Sequence, residues 1–262
     1  MKRAICTLCF TILILMPFYP VHSLDVMEIV ERADGLRRPP TLEGSFTMTL
    51  TSKSGDKRVI KVLAYQKTIN KHREDRLFLF TFPPSIDGSS LLIHSYLNGD
   101  EDKMWIYLPA VGKIKRVALD TSGRGFFMGS DFTYNDLLTT TIHEFDYDLH
   151  GEEKVHGHDC YVIHVQGKTK EIRRKYGYAR EVHFIRKSDF ALMKVIFYDL
   201  AGDLLKEFTI NEVRWIGNYL YPSNVKMENL QTKHKSEIVI DTLEIPDDIS
   251  DIYFTHRYLQ NR

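Results

Sequence analysis

Apolar and polar positions alternate along this chain with two different periods, and the change of period marks its plan. Between residues 24 and 40 the apolar residues Val26, Ile29, Val30 and Ala33 recur at helical spacing, and Gly35, Pro39 and Pro40 close the segment. One short amphipathic helix is expected there. From Gly44 the period drops to two, with Phe46, Met48 and Leu50 set against Ser45, Thr47 and Thr49. Strand follows strand from that point.

The turn at 52–57 feeds RVIKVLAYQK, and the charged turn at 70–75 feeds RLFLFTFP, in which Phe78, Phe80 and Phe82 share one face. SSLLIHSYL, the turn NGDED and KMWIYLP come next. In IHEFDYDLHG, His143, Phe145, Tyr147 and Leu149 form a dry face against Glu144, Asp146 and Asp148. The later strands are CYVIHVQGK, REVHFIRK, ALMKVIFYDL, LLKEFTINEVRWIG, YLYPSNVKMENL and KSEIVIDTLEI. Connections this tight permit antiparallel neighbours only, because a parallel pair needs a long crossover.

The expected fold is therefore mainly β, one large meandering antiparallel sheet. At roughly ten strands or more such a sheet curls or closes, and its concave face must be filled or covered. Some strands are apolar on both faces, as Met104, Ile106 and Leu108 are against Trp105 and Tyr107. The available covers are the amino-terminal helix and the segment after Asp120, where Thr133 and Asp136 have capping-box spacing. Whether these pieces only plug the sheet, or act as a lid, the pattern leaves open.

Composition adds two constraints. The 35 basic and 35 acidic residues cancel, which argues against bulk nucleic-acid binding. Hydrophobic residues at 43% and aromatics at 12% indicate an ordered globular chain, with neither repeats nor low-complexity segments. At the amino terminus, Lys2 and Arg3 precede an apolar run to Met16, then Pro17, Pro20, Val21 and Ser23. This is the pattern of a secretory signal peptide over residues 1–23, which leaves residues 24–262 as a single exported domain. Cys6 and Cys9 would be removed with it, so Cys160 alone remains and the fold must rest on a hydrophobic core.

Candidate chemistry is thin. The loop TSGRGFFMGSDF holds Gly123, Gly125 and Gly129, but neither a dinucleotide fingerprint nor a P-loop. The glycines suit hinges under an apolar flap of Phe126, Phe127 and Met128, or equally a static turn. His156, His158, Cys160 and His164 are evenly spaced, as zinc ligands on one strand face would be. Residues two apart on a strand are, however, about 7 Å apart, and Gly157 breaks the phase, so surface histidines beside a buried cysteine are the plainer reading. Ser130 and Asp131 have no local histidine base, and there is no nucleophile elbow. No enzyme activity and no cofactor is expected. The basic cluster Lys113, Lys115 and Arg116 would greet acidic head groups, or simply blunt a strand edge.

One stretch carries a resemblance. Met104-Trp105-Ile106-Tyr107-Leu108-Pro109, then Lys113-Ile114-Lys115-Arg116, then the run from Gly125 through Phe132 to Leu137, is similar to the signature of the LolA-like outer-membrane lipoprotein-sorting family. Ile245-Pro246-Asp247-Asp248 and Phe254-Thr255-His256-Arg257-Tyr258-Leu259 resemble that family's closing segment. The resemblance implies an unclosed β-barrel of the LolA/LolB type with short helices as lid or plug. It implies a periplasmic carrier, a monomer, that holds acyl chains of lipids or lipoproteins and works beside an inner-membrane transporter of the resistance-nodulation-division type. Phe46, Met48, Phe78, Phe80, Trp105 and Tyr107 are then candidate cavity walls, and Phe126, Phe127, Met128 and Phe132 candidate lid residues. Two rival readings stand beside it: an envelope-stress sensor on the same fold, and a zinc hydrolase built on the His156 to His164 cluster.

Overall fold

A computed structural model describes residues 24–36, 38–119 and 125–260. The expected signal peptide, with Cys6 and Cys9, lies outside these residues, as does Gly123 of the glycine loop. Three helices are described: α1 (Val26–Gly35), α2 (Lys170–Tyr176) and α3 (His256–Gln260). The strands are β1 (Thr41–Thr51), β2 (Lys57–Asn70), β3 (Arg73–Phe82), β4 (Ser90–Tyr96), β5 (Lys103–Leu108), β6 (Lys113–Arg116) and β7 (Phe145–Val155). They continue with β8 (His158–Gly167), β9 (Tyr178–Arg186), β10 (Leu192–Asp199), β11 (Leu204–Ile216), β12 (Tyr219–Asn229) and β13 (Lys235–Glu244).

All thirteen form a single antiparallel sheet in the order β6-β5-β4-β3-β2-β1-β13-β12-β11-β10-β9-β8-β7. Neighbours in space are neighbours in sequence except at one joint, where the first strand pairs with the last. There Glu43 to Thr51 run against Glu244 to Lys235, with a bulge between Ser45 and Phe46. The two ends of the order do not pair with each other, so the sheet is unclosed. Its free edges are defended as edges usually are. Short β6 exposes Lys113 and Lys115, which places the basic cluster at the sheet margin. On β7 the exposed run contains His150, Glu152, Glu153 and Lys154 and a bulge near Gly151.

The sheet must bend, and two hydrogen bonds prove it. Tyr178 of β9 donates a hydrogen bond to Asp136, while the Thr139 amide donates to Ser95 of β4 at 3.2 Å. β4 and β9 stand eight strand steps apart in the order, which in a flat sheet at ~4.8 Å per step would be roughly 38 Å. Asp136 and Thr139 are separated by at most about 11 Å of chain. The sheet therefore wraps around residues 125–141, which form a central plug.

The plug splits the interior into two cores. Toward β1–β5, Phe46, Met48, Leu50, Ile60, Val62, Phe80, Leu91, Ile93 and Met104 pack against Phe127 and Leu138. Toward β8–β12, Ile29, Val30 and Ala33 of α1 pack against Ile163, Val165, Ile185, Val195 and Met227. Each fully buried side chain of this size contributes about 1.5–3 kcal/mol by leaving water, so among the described residues the fold is held without a disulfide; Cys160 is free and buried.

Several expectations need amendment. The second face of the two-sided strands is not covered by α1 or by the plug. The carboxyl-terminal segment returns across it, and Ile249, Phe254 and Leu259 bury Leu77, Leu79 and Leu92 together with Trp105 and Tyr107. Lys67 anchors this strap through Asp248 at 2.8 Å and Asp251 at 2.6 Å. The IHEFDYDLHG stretch opens as a 3₁₀ turn over Ile142–Glu144 and becomes strand only at Phe145. His143 and Leu149 are exposed, so the expected dry face shrinks to Phe145 and Tyr147. Helix α2 was unexpected although its ends are marked: Thr169 accepts from the Ile172 amide, and Gly177 caps it at φ 86°. It can dock because Gly167 lacks a Cβ, which would fall 2.8 Å from Ile172 Cγ2.

Candidate functional site

The plug is pinned by an ionic cluster that its own sequence half predicts. Thr133 and Asp136 form the expected capping box around a 3₁₀ turn at Tyr134–Leu137. Asp136 Oδ2 accepts from the Thr133 amide at 2.7 Å and from Lys206 Nζ at 2.6 Å. Lys206 is buried, with its ammonium 5.2 Å from the ring centres of Tyr178 and Phe197. It also donates to the Asp131 carbonyl at 3.0 Å. Asp131 is held from β13, since Ser236 Oγ donates to its Oδ2 at 2.7 Å and His234 Nδ1 lies 2.7 Å from the same oxygen. Burial, with Asp136 beside it, holds the Tyr178 hydroxyl far above its usual range, so it remains a donor.

Between this plug and β9–β12 the packing is incomplete. A cavity of about 250 Å³ lies against Phe132, Leu138, Tyr178, Phe197, Phe208 and Met227. A second hollow of about 120 Å³ shares Leu192 and Phe208 with it and reaches Ala33 and Leu36 beside α1. A third, of about 110 Å³, shares Tyr176 and Tyr178 and opens beside Phe126. Taken together the three reach the lower end of the size range of small-molecule pockets, and their linings are predominantly apolar, as such pockets are. A larger opening of about 570 Å³ between 99–102 and α2 has a charged rim of Asp102, Glu144, Glu171, Arg174 and Lys175.

The residues singled out from the sequence fall in three places. Phe46, Met48, Phe78 and Phe80 stand on the plug-facing side, where Phe127 packs 6.1 Å from Phe78 and 5.7 Å from Phe80, ring centre to ring centre. Met128 packs on the same core, in a left-handed conformation at φ 51°. Phe132 and Phe126 line cavities, Phe126 being 52% exposed. Trp105 and Tyr107 lie on the opposite face of the sheet, under the carboxyl-terminal strap, with Trp105 between His94 and His256 at 4.9 and 4.5 Å. Strand alternation separates them from Met104 and Ile106, which face the plug. Phe127 and Met128 are thus packed into the core, while Phe126 beside them stays exposed.

The evenly spaced histidines do not converge. His156 sits in a turn at φ 50°, His164 stacks on His150 at 4.1 Å, and burial pushes the Cys160 thiol above its usual range. Among the described residues, no group of three or more His, Cys, Asp or Glu side chains is placed to hold a metal ion. Tyr176, Leu192, Phe197, Phe208 and Met227 were missed as cavity residues. Their strands show apolar alternation, but nothing local says which apolar face goes unfilled.

A family model described as "-like: Uncharacterized protein" matches residues 72–261. The chain belongs to that family, and its fold is LolA-like. A domain from Vibrio parahaemolyticus named for outer-membrane lipoprotein sorting is 25% identical, with a TM-score of 0.82 over 90% of this chain and 98% of that one. A DUF1329 family protein from Desulfovibrio piger is 26% identical, with a TM-score of 0.84 over 89% and 97%. A LolA superfamily protein from Nitrosomonas europaea shares the fold at 18% identity, with a TM-score of 0.68 over 90% and 100%. Among curated proteins no significant match is found. In this LolA-like sheet the stretch that carries the resemblance has two structural jobs: 104–109 is wall on one face and strap-bearing surface on the other, and 125–137 is the plug.

Proposed function

We propose that this LolA-like protein is a periplasmic carrier that binds acyl chains of lipids or lipoproteins between its plug and β9–β12. The observation that carries the reading is the set of neighbouring apolar hollows, with shared lining residues, on one side of the plug, set against the solid packing on the other. Burying an acyl chain gains about 0.8 kcal/mol per CH₂, so such a site binds without any catalytic group. The name of the Vibrio protein supports the same class of cargo. Phe132, Phe208 and Met227 hold the chain, Phe126 guards the mouth, and Phe46, Met48, Phe78 and Phe80 form the wall on which Phe127 and Met128 of the plug pack. Export through residues 1–23 and an inner-membrane transporter of the resistance-nodulation-division type as partner complete the proposal.

The test is native mass spectrometry and solvent extraction of protein purified from periplasm, followed by uptake of the neutral probe N-phenyl-1-naphthylamine. Co-purifying lipid and saturable probe uptake are expected. Bare protein that takes up no probe would overturn the reading. Movement of a labelled lipid between vesicles distinguishes a carrier from the sensor alternative, in which lipid binds without net transfer.

A further inference from the structure

Strands β11 and β12 outrun the sheet that holds them. β10 pairs with β11 only as far as Thr209, and β13 pairs with β12 only from Asn224 onward. Residues 212–222 therefore pair with no other strand and form a two-stranded ribbon that turns at Gly217, φ 58°. Directly opposed residues share a face, so Val213, Trp215, Leu220 and Pro222 lie on one side of the ribbon. Ile216 and Tyr219 lie on the other, with Arg214. At the tip Trp215 is 55% exposed, Ile216 and Tyr219 are partly exposed, and Arg214 is exposed beside them.

The Trp215 face leads into a hollow. Val213, Leu220 and Pro222 line the space of about 120 Å³ together with Leu36, which follows α1 and whose carbonyl accepts from the Leu220 amide at 3.0 Å. Leu36, Val213 and Pro222 are partly exposed, so this hollow opens at the root of the ribbon. Leu192 and Phe208 are common to it and to the 250 Å³ cavity, whereas it shares no lining residue with the hollow at Phe126. The ribbon thus stands over a second opening.

A projecting tip with apolar side chains on both faces cannot bury both against one flat protein surface. A lipid surface closes around it. Trp and Tyr are also the side chains that settle at a membrane–water boundary, with the ring among apolar groups and the N–H or O–H in the wet layer. We propose that the β11–β12 ribbon docks on a phospholipid bilayer through Trp215, Ile216 and Tyr219, and that the hollow at its root is the port by which an acyl chain passes between bilayer and cavity. Arg214 supplies a cation for the lipid phosphates. The port rests on the acyl-binding reading of the cavity; the docking surface does not.

The test uses vesicles of phosphatidylethanolamine and phosphatidylglycerol whose acyl chains carry bromine, which quenches nearby indole fluorescence. The chain has two tryptophans, and Trp105 is packed under the strap between His94 and His256, so quenching reports on Trp215. Quenching with a blue shift is expected, and Trp215→Phe should abolish it while still floating with the vesicles. Trp215→Ser should weaken vesicle binding about tenfold, the scale of part of an indole's apolar area left in water, with uptake of N-phenyl-1-naphthylamine unchanged. Val213→Phe, which narrows the port, should keep the quenching and slow the pick-up of a labelled lipid from vesicles several-fold. Absence of quenching, as a protein partner for the ribbon would give, overturns the docking, and so does vesicle binding that Trp215→Ser leaves intact. The carrier reading stands in both cases if the probe still binds. Pick-up by Val213→Phe as fast as by wild type overturns the port. Quenching without probe uptake overturns the carrier reading and the port with it.

Discussion

Lys206 of β11 and Asp136 of the plug meet at 2.6 Å in an interior where Lys206 is 1% exposed. Lys206 is cut off from water and depends on Asp136 and the Asp131 carbonyl, while Asp136 is held by Lys206, the Thr133 amide and the Tyr178 hydroxyl. Lys206→Met should destabilise the protein by about 3–5 kcal/mol, because Asp136 is left as an unpaired buried charge. The double variant Lys206→Met with Asp136→Leu should recover much of that loss. Urea denaturation of the four proteins in the cycle measures it; additive losses would refute the pairing.

The two sides of the plug should respond differently to volume changes. Phe80→Ala, in the packed core, should cost about 3–5 kcal/mol and leave probe uptake per folded molecule unchanged. Val195→Phe adds volume to the wall of the 250 Å³ cavity. It should abolish most uptake while costing less than about 1.5 kcal/mol, since the added ring enters a vacancy. Thermal denaturation alongside probe titration reads both quantities.

His94, packed under the strap against Trp105 with its Nε2 3.2 Å from the Phe254 carbonyl, has its pKa lowered from 6.5 to about 4, first by burial and then by Arg73. The unfolded chain therefore takes up a proton at this site near pH 6.5 and the folded chain only near pH 4. Stability falls as pH drops through that window, by roughly 3 kcal/mol in full, and is flat above it for this group. Asp75, raised by its own burial, works in the opposite direction at the acid end. The measurement is thus the difference in stability between wild type and His94→Gln from pH 7 to pH 4, which should shrink as pH falls. A difference that does not change with pH would contradict the assignment.

Gly44 sits at the joint between the first and last strands, where an added Cβ would lie 2.3 Å from the Thr242 carbonyl oxygen. The backbone has to move to admit it. Gly44→Ala should cost about 1–3 kcal/mol, as overpacking does, and should raise amide hydrogen exchange in β1 and β13 before other strands. Exchange that rises evenly across the sheet would argue against the joint as the point of weakness.

Much of this architecture is written in local pattern. Period-two alternation and tight turns dictate antiparallel neighbours, because the pleat sends successive side chains to opposite faces and a short link cannot cross a sheet. The helical spacing of Ile29, Val30 and Ala33 and the Thr133–Asp136 capping box are equally local, and both form as their residues require. Other features join residues far apart in the chain. The pairing of β1 with β13, the strap over Trp105 and the meeting of Lys206 with Asp136 each depend on how the sheet curls. So does the cavity. An unfilled volume is the difference between a curved surface and the side chains that happen to reach it, and nothing in the sequence around Phe80 or Phe208 says that the first will be sealed in a packed core and the second will border a cavity.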